Sequence, residues 1–427
     1  MAQQPRKLIA IGVVANVLEW YDFSVYAFLA VIIGQLFFDV NDRQVALIKA
    51  FFVFSISYLI RPLGSIVFGY MGDTIGRRFA MRLSLIMMAI PTGIIGILPT
   101  YKDIGIAAVG LLVSLRLIQG FAAGGELPGS ACYLYEASPQ KHKNFFCSFV
   151  AFSSMSGVLM GSFIVWMLYA IFSTEAIYAW AWRLPFLLGF IVALIVFYIR
   201  NSVIETKVPS DNVNRINLLK QLNANRVSLF RVAMLNIFIS ISFYTFFVWM
   251  PSYLSVFLQI SDSQAHFCGT FGLFSLIIMT MVAGYYADYI GQRKLILVSV
   301  FGVMVLSYPL FLLLETRSLS LILLVQVVMA ITFGGIQGVI MAITGSLFDA
   351  SVRFMGISLS FTIPTAIFGG LSPILASYLI YTTGNNLAPV ILPIVASILV
   401  LPIVLYLPVV KKPNPVLILP ISETRTQ

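Results

Sequence analysis

The sequence predicts an all-α membrane protein of twelve transmembrane helices arranged as two pseudo-symmetric six-helix bundles, on three observations. Of its 427 residues 60% are hydrophobic and only 10% charged, with a mean hydropathy of +0.97, well above that of soluble globular chains. Apolar runs of about 20 residues, each long enough to cross roughly 30 Å of hydrocarbon as a helix, recur about twelve times. One polar pattern occurs twice, half a chain apart: Gly-Tyr-Met-Gly-Asp-Thr-Ile-Gly-Arg-Arg from Gly69 to Arg78, and Gly-Tyr-Tyr-Ala-Asp-Tyr-Ile-Gly-Gln-Arg-Lys from Gly284 to Lys294.

The first six spans are expected at 8–37, 45–70, 79–99, 104–137, 145–172 and 183–200. The first follows Arg6 and Lys7, has no small-residue cleavage site and carries acids at its centre, so it reads as a retained span and not a signal peptide. A polar interval, Asn201 to Ser228, then separates six spans from six. It divides the chain into an N-terminal bundle (1–200), a cytoplasmic linker (201–228) and a C-terminal bundle with a short cytoplasmic tail (229–427). The second set of spans is expected at 229–258, 265–286, 293–314, 318–347, 354–382 and 388–408.

Most of the 26 Lys and Arg residues fall on the side of both termini. By the positive-inside rule both termini are then cytoplasmic, and the net charge of +10 reflects topology, not nucleic-acid binding. The expected setting is a bacterial inner membrane, and the expected partners are the lipid bilayer, a small-molecule solute and protons, with a functional monomer. Cys132, Cys147 and Cys268 form no spaced cluster, which argues against a metal site or a disulfide framework.

The duplicated turns have a physical rationale. A tight turn between spans needs Gly for close backbone approach, and Asp73 can cap the next helix. Arg77 and Arg78, with Arg293 and Arg353, can pair with acids on neighbouring helices and hold the cytoplasmic side shut. The acids in reach are Asp73, Asp288, Glu126, Glu136 and Asp349; the last two each follow a Gly-Gly pair, Gly124-Gly125 and Gly334-Gly335. The repeated loop resembles the signature of the major facilitator superfamily, which implies halves that rock about a central site.

Further motifs narrow the resemblance. They are Asn-Val-Leu-Glu-Trp-Tyr-Asp-Phe-Ser-Val-Tyr from Asn16 to Tyr26, Arg-Pro-Leu-Gly from Arg61 to Gly64, and Arg-Leu-Ile-Gln-Gly-Phe-Ala-Ala-Gly-Gly-Glu from Arg116 to Glu126. Trp182-Arg183-Leu-Pro-Phe and the stretch from Arg353 to Pro373 extend them. Together they are similar to the metabolite:proton symporter family, which includes proline/betaine and α-ketoglutarate permeases. The chain departs from osmosensing members in the fifth span, which reads Phe149-Val150-Ala151-Phe152 where they carry an acid.

Charge at membrane depth costs at least about 2.5 kcal/mol per group and persists only when paired or facing water. Glu19 lies roughly 16 Å into its span by the helical rise, near the midplane. Asp22 and Tyr26 follow on the same face, with Asn16 one turn behind. Arg116 reaches a similar depth from the other side. Glu19, Asp22 and Arg116 are therefore the candidates for proton coupling: a solute carboxylate engaging Arg116 partly releases the acid, which then favours taking a proton. A static ion pair between Glu19 and Arg116 is the other reading, and Asp22 can alternatively pair with Arg61.

The second half offers neutral groups. Asn236 and Tyr244 share a face, Trp249 and Tyr244 can hold a quaternary ammonium by cation–π attraction, and Gln337 lies in the tenth span. With Asn16, Tyr26 and Arg116 these make the candidate solute-binding set. No His-based catalytic or metal constellation can assemble from His142 and His266, and no Gly-x-x-x-x-Gly-Lys motif is present, which argues against an enzyme or an ATP-driven pump. A channel would need oligomeric rings or a filter. The expectation is proton-coupled uptake, without a cofactor, of a zwitterionic amino acid or betaine; a small (di)carboxylate or an efflux reaction is the alternative.

Overall fold

The computed structural model describes residues 3–71, 75–124, 131–132, 134–136, 138–201, 222–349 and 352–407, with backbone alone for 3–15, 77, 78, 81 and 199–201. Helix α1 is a bent pair, Gln3–Phe28 followed by Ala30–Phe37, with a 61° turn at Leu29. The rest of the first half comprises α2 (Arg43–Met71), α3 (Arg77–Ile95), α4 (Ile106–Ala122), α5 (Lys143–Ile171) and α6 (Leu184–Asn201). The second comprises α7 (Arg226–Val248), α8 (Asp262–Ile290), α9 (Gln292–Leu314), α10 (Leu319–Leu347), α11 (Arg353–Thr383) and α12 (Ile391–Leu405).

Among the described residues, nine of these helices are long and apolar enough to span a membrane alone, and the bent α1 makes a tenth. Helices α3 and α4 take the third and fourth expected positions, and their described apolar parts, Arg82–Ile95 and Ile106–Ala122, are shorter than the expected runs 79–99 and 104–137. Residues 125–130, with Glu126, lie outside the described residues, as do Asp73 and positions 202–221 of the expected linker 201–228.

Local chemistry explains the irregularities that shape the interior. Helix α2 breaks at Ile60, because Pro62 has no amide to continue the ladder, and restarts at Arg61. Helix α11 carries a wide π turn, Thr365–Gly369, directly after Pro364, and α7 carries another at Tyr244–Val248. Gly76 and Gly291, the last glycines of the two repeats, have φ of +127° and +99°. Only glycine takes such angles without strain.

The repeat's aspartate does not do what its position suggests. Helix α9 starts from Gly291 with no side-chain cap. Asp288 instead crosses to the other half and caps α5: its Oδ1 accepts from the Asn144 amide (3.1 Å) and Nδ2 (2.8 Å), and its Oδ2 from the Phe145 amide (3.2 Å). A carboxylate there also meets the positive end of the helix dipole.

Among the described residues, polar contacts join the halves at both faces of the bundle. At the face of the termini, Arg353 Nη1 meets Glu136 Oε1 at 2.5 Å and Gln292 bonds Asn144 at 2.6 Å, both across the seam, whereas Arg293, expected to pair with an acid there, bonds the Leu405 carbonyl at the end of α12 within its own half. Asp349 is exposed beyond α10. At the opposite face Arg43 and Asp262 form a 2.7 Å ion pair between α2 and α8. Both partners are partly exposed, so the pair contributes at most about 1 kcal/mol. Arg43→Gln is expected to raise labelling of a cysteine placed beside the pair by up to about fivefold, and the double exchange Arg43→Asp with Asp262→Arg to restore wild-type labelling; an unchanged single variant would show that the pair does not hold that face shut.

Candidate functional site

Between the two faces, α1 to α4 converge on a buried polar cluster. Helix α1 presents Glu19 and Asp22, α2 contributes Ser57, Tyr58 and Arg61, α3 contributes Thr92, and α4 contributes Arg116 and Gln119. All are less than 9% exposed. Close approach makes the cluster possible: Gly64 and Gly120 sit where a side chain would collide with the backbone of the facing helix.

Asp22 is held by neutral donors. Its Oδ1 accepts from Thr92 Oγ1 at 2.6 Å and its Oδ2 from Gln119 Nε2 at 2.7 Å. The other end of the Gln119 amide accepts from Arg116 Nη1 at 3.1 Å, and Arg116 Nη2 donates to Ser57 Oγ at 3.2 Å. The Arg116 guanidinium lies over the rings of Tyr26 (4.3 Å) and Phe23 (4.9 Å). Arg116 and Asp22 thus communicate through one amide.

The Thr92 hydroxyl has one proton and two acceptors in reach, Asp22 Oδ1 and the Met88 carbonyl at 2.8 Å. With Asp22 ionised, the hydroxyl donates to the carboxylate. With Asp22 protonated, the carboxyl donates to Thr92 Oγ1 and the hydroxyl turns to Met88. Either protonation state keeps its hydrogen bonds, which is the property a site that loads and unloads a proton requires. A cavity of ≈ 20 Å³, room for about one water, touches both Glu19 and Asp22.

The expected meeting of Glu19 with Arg116 is replaced by another pairing. Glu19 Oε1 lies 3.9 Å from Arg61 Nη1. Arg61 packs against two rings, its guanidinium carbon 3.8 Å from the centroid of Phe23 and 3.9 Å from that of Tyr58. The break before Pro62 turns Arg61 toward α1, while Arg116 is drawn to Gln119 one turn along its own helix.

Of the expected solute-binding residues, Tyr244 reaches the cluster, its hydroxyl donating to that of Tyr58 across the seam at 2.7 Å. Ser55 Oγ donates to the Gly370 carbonyl beside it. Tyr26 lies under Arg116 and donates to the Ala50 carbonyl. The others have different neighbours. Asn16 joins α1 to Ser153 and Ser154 of α5, and Asn236 donates to the Ser360 carbonyl, which Pro364 leaves without an amide partner. Trp249 donates to Ser377, and Gln337 faces Met155. Thr92, Gln119, Ser57 and Tyr58 were not expected; only the spacing of Gln119, three residues after Arg116 and so on its face, signals any of them.

A bundle of apolar helices around buried acids and guanidiniums, its halves joined at both faces, defines a membrane transporter. The chain belongs to the Major Facilitator Superfamily, whose sequence profile matches residues 12–362 and 232–425. It is 31% identical over 396 residues to a "putative proline/betaine transporter" of Staphylococcus haemolyticus, covering 91% of this chain and 84% of that protein. It is also 31% identical to the "glycine betaine/proline/ectoine/pipecolic acid transporter OusA" of Dickeya dadantii (90% and 79% covered) and 29% identical to the proline/betaine transporter of Escherichia coli K12 (90% and 79%). A crystal structure of a D-xylose-proton symporter superposes with a TM-score of 0.76 at 16% identity (96% and 99% covered), and the E. coli xylose transporter XylE, partially occluded and inward open, with 0.73 at 15% (94% and 98%). These show the fold. The chain is a multi-pass membrane transporter and not an enzyme.

Proposed function

We propose that this transporter imports a small zwitterionic solute of the proline or betaine kind together with protons, by alternating access. The observation that carries the proton is the Thr92 hydroxyl, which serves Asp22 in either charge state. The names of the relatives support the solute class, and the position of the acid–arginine cluster against the Tyr58–Tyr244 seam supports coupling between occupancy and closure. Halves 1–200 and 229–427 rock about this seam, joined by the linker 201–228. The contacts of Asp288, Glu136 and Arg353 are read as the cytoplasmic gate, with Asp73, Arg77, Arg78 and Glu126 as its counterparts in the first repeat. The excess of Lys and Arg supports cytoplasmic termini in a bacterial inner membrane, and the cluster, built within one chain, supports a functional monomer.

The test is uptake into proteoliposomes of labelled proline and glycine betaine, with an alkaline interior and with or without a protonophore. Concentrative uptake that collapses with the protonophore is expected. Accumulation indifferent to the protonophore would remove the proton from the reading, and uptake of dicarboxylates in place of both zwitterions would replace the solute.

A further inference from the structure

The two buried arginines of the central cluster differ in what they leave free. Arg116 engages Nη1 with Gln119 and Nη2 with Ser57, and among the described residues only its Nε nitrogen has no partner. Arg61 is 6% exposed and turns Nη1 toward Glu19, while among the described residues its Nε and Nη2 have no hydrogen-bond partner. Those two N–H groups lie side by side on one edge of the guanidinium, the edge that binds a carboxylate with two parallel hydrogen bonds. Leaving charged donors buried and unpaired is costly, so the arrangement is explained by a partner that comes and goes. The plate is already held: the Phe23 and Tyr58 ring centroids lie 3.8 and 3.9 Å from its centre and 5.2 Å from each other.

The surroundings suit the other end of a zwitterion. The rings of Phe54, Tyr58 and Tyr244 are mutual neighbours, with centroids 4.7 to 6.1 Å apart, and Tyr244 comes from the opposite half. Electron-rich ring faces beside a carboxylate site offer an ammonium its place.

We propose that Arg61, through its Nε–Nη2 edge, is the ligand of the solute carboxylate, and that the Phe54, Tyr58 and Tyr244 rings receive the ammonium end. This rests on the zwitterion reading above. A carboxylate on Arg61 puts two anions, solute and Glu19, on one guanidinium, and a proton on Glu19 neutralises the surplus. Since Tyr58 and Tyr244 bridge the seam, a solute among their rings also touches both halves.

The test measures by titration calorimetry the direct binding of proline, of glycine betaine and of choline, which keeps the trimethylammonium group and lacks the carboxylate, to the purified full-length protein. Wild type should prefer glycine betaine. In Arg61→Gln the glycine betaine affinity should fall at least tenfold, to the level of choline, while choline is unchanged. Arg61→Lys keeps the cation against Glu19 but not the two-pronged edge, and should also lose glycine betaine tenfold or more, so it decides the matter if the Gln variant does not fold. Wild-type preference for glycine betaine in the Lys variant, or an equal loss of both ligands, would overturn the assignment. Wild-type protein that binds neither proline nor glycine betaine would instead sink the zwitterion reading itself, and the assignment with it.

Discussion

Asp22→Asn is expected to bring the accumulation ratio of the solute to about one under an imposed pH gradient, while solute exchange across the membrane continues. Asn has the volume of Asp, can accept from Gln119 through its amide oxygen, and can donate to Thr92 through its amide nitrogen as the protonated acid would. It therefore mimics the loaded state permanently. A carrier locked in that state still shuttles between faces with solute but has no proton to release, so the gradient cannot drive it. Parallel measurements of concentrative uptake and of counterflow check this, and full accumulation by the variant would assign the proton to another group. Glu19→Gln is the natural comparison, since Glu19 shares the water-sized cavity with Asp22 but is balanced by Arg61. Loss of accumulation in the Glu19 variant alone would move the coupling acid there.

Thr92→Val refines the same expectation. Valine keeps the shape and removes the hydroxyl that serves both charge states, leaving Asp22 with Gln119 as its remaining described donor. A shift in the pH dependence of uptake without loss of solute exchange is expected, and Thr92→Ser should restore the wild-type profile. An unshifted profile in the valine variant would show that the hydroxyl only packs against Met88.

What the chain disclosed in advance follows from which interactions are local. The stripe Asn16, Glu19, Asp22, Tyr26 was legible because three- and four-residue spacing on one helix needs no knowledge of neighbours. The pairing of acids with arginines was not. Counting residues from a loop gives the depth of Glu19, Arg61 and Arg116 but not the rotation of α2 and α4, and rotation decided that Arg61 meets Glu19 while Arg116 reaches Asp22 through Gln119. Thr92 was invisible, and Gln119 was signalled only by its spacing from Arg116, for a related reason: a neutral polar residue in an apolar run gains meaning only from the charge it faces.

The duplicated loops show the same division. Their recurrence disclosed the two halves, and the positive φ of Gly76 and Gly291 accounts for their last glycines. Yet Asp288 caps a helix of the opposite half and not the one that follows it, a partner that no reading of a single repeat could supply. The π turns of α7 and α11 were likewise unseen, although Pro364 marks one of them.

The second large effect is expected where α2 and α4 touch. A Cβ on Gly120 would lie 1.9 Å from the Ser57 carbonyl oxygen and 2.7 Å from Ile60 Cγ2, and one on Gly64 would lie 1.8 Å from the Phe121 carbonyl oxygen. The obstructing oxygens are backbone, so no rotamer change relieves the overlap. Since non-bonded heavy atoms settle about 3.5 Å apart, the helices would have to separate by roughly 1.5 Å. That alone would carry Ser57 out of hydrogen-bonding range of Arg116, now at 3.2 Å. Gly120→Ala and Gly64→Ala are each expected to cost about 3 kcal/mol or more, at the upper end of overpacking penalties, and to abolish transport. Gly110→Ala is the control on the same helix: its Cβ would meet nothing within 4 Å, and alanine's better helix propensity should leave stability unchanged or raise it by up to about 1 kcal/mol. Thermal melting of the three variants in detergent, alongside uptake, decides the matter. Equal melting of Gly120→Ala and Gly110→Ala would mean that α2 and α4 stand farther apart than described, and that the network joining Arg116 to Asp22 is assembled differently.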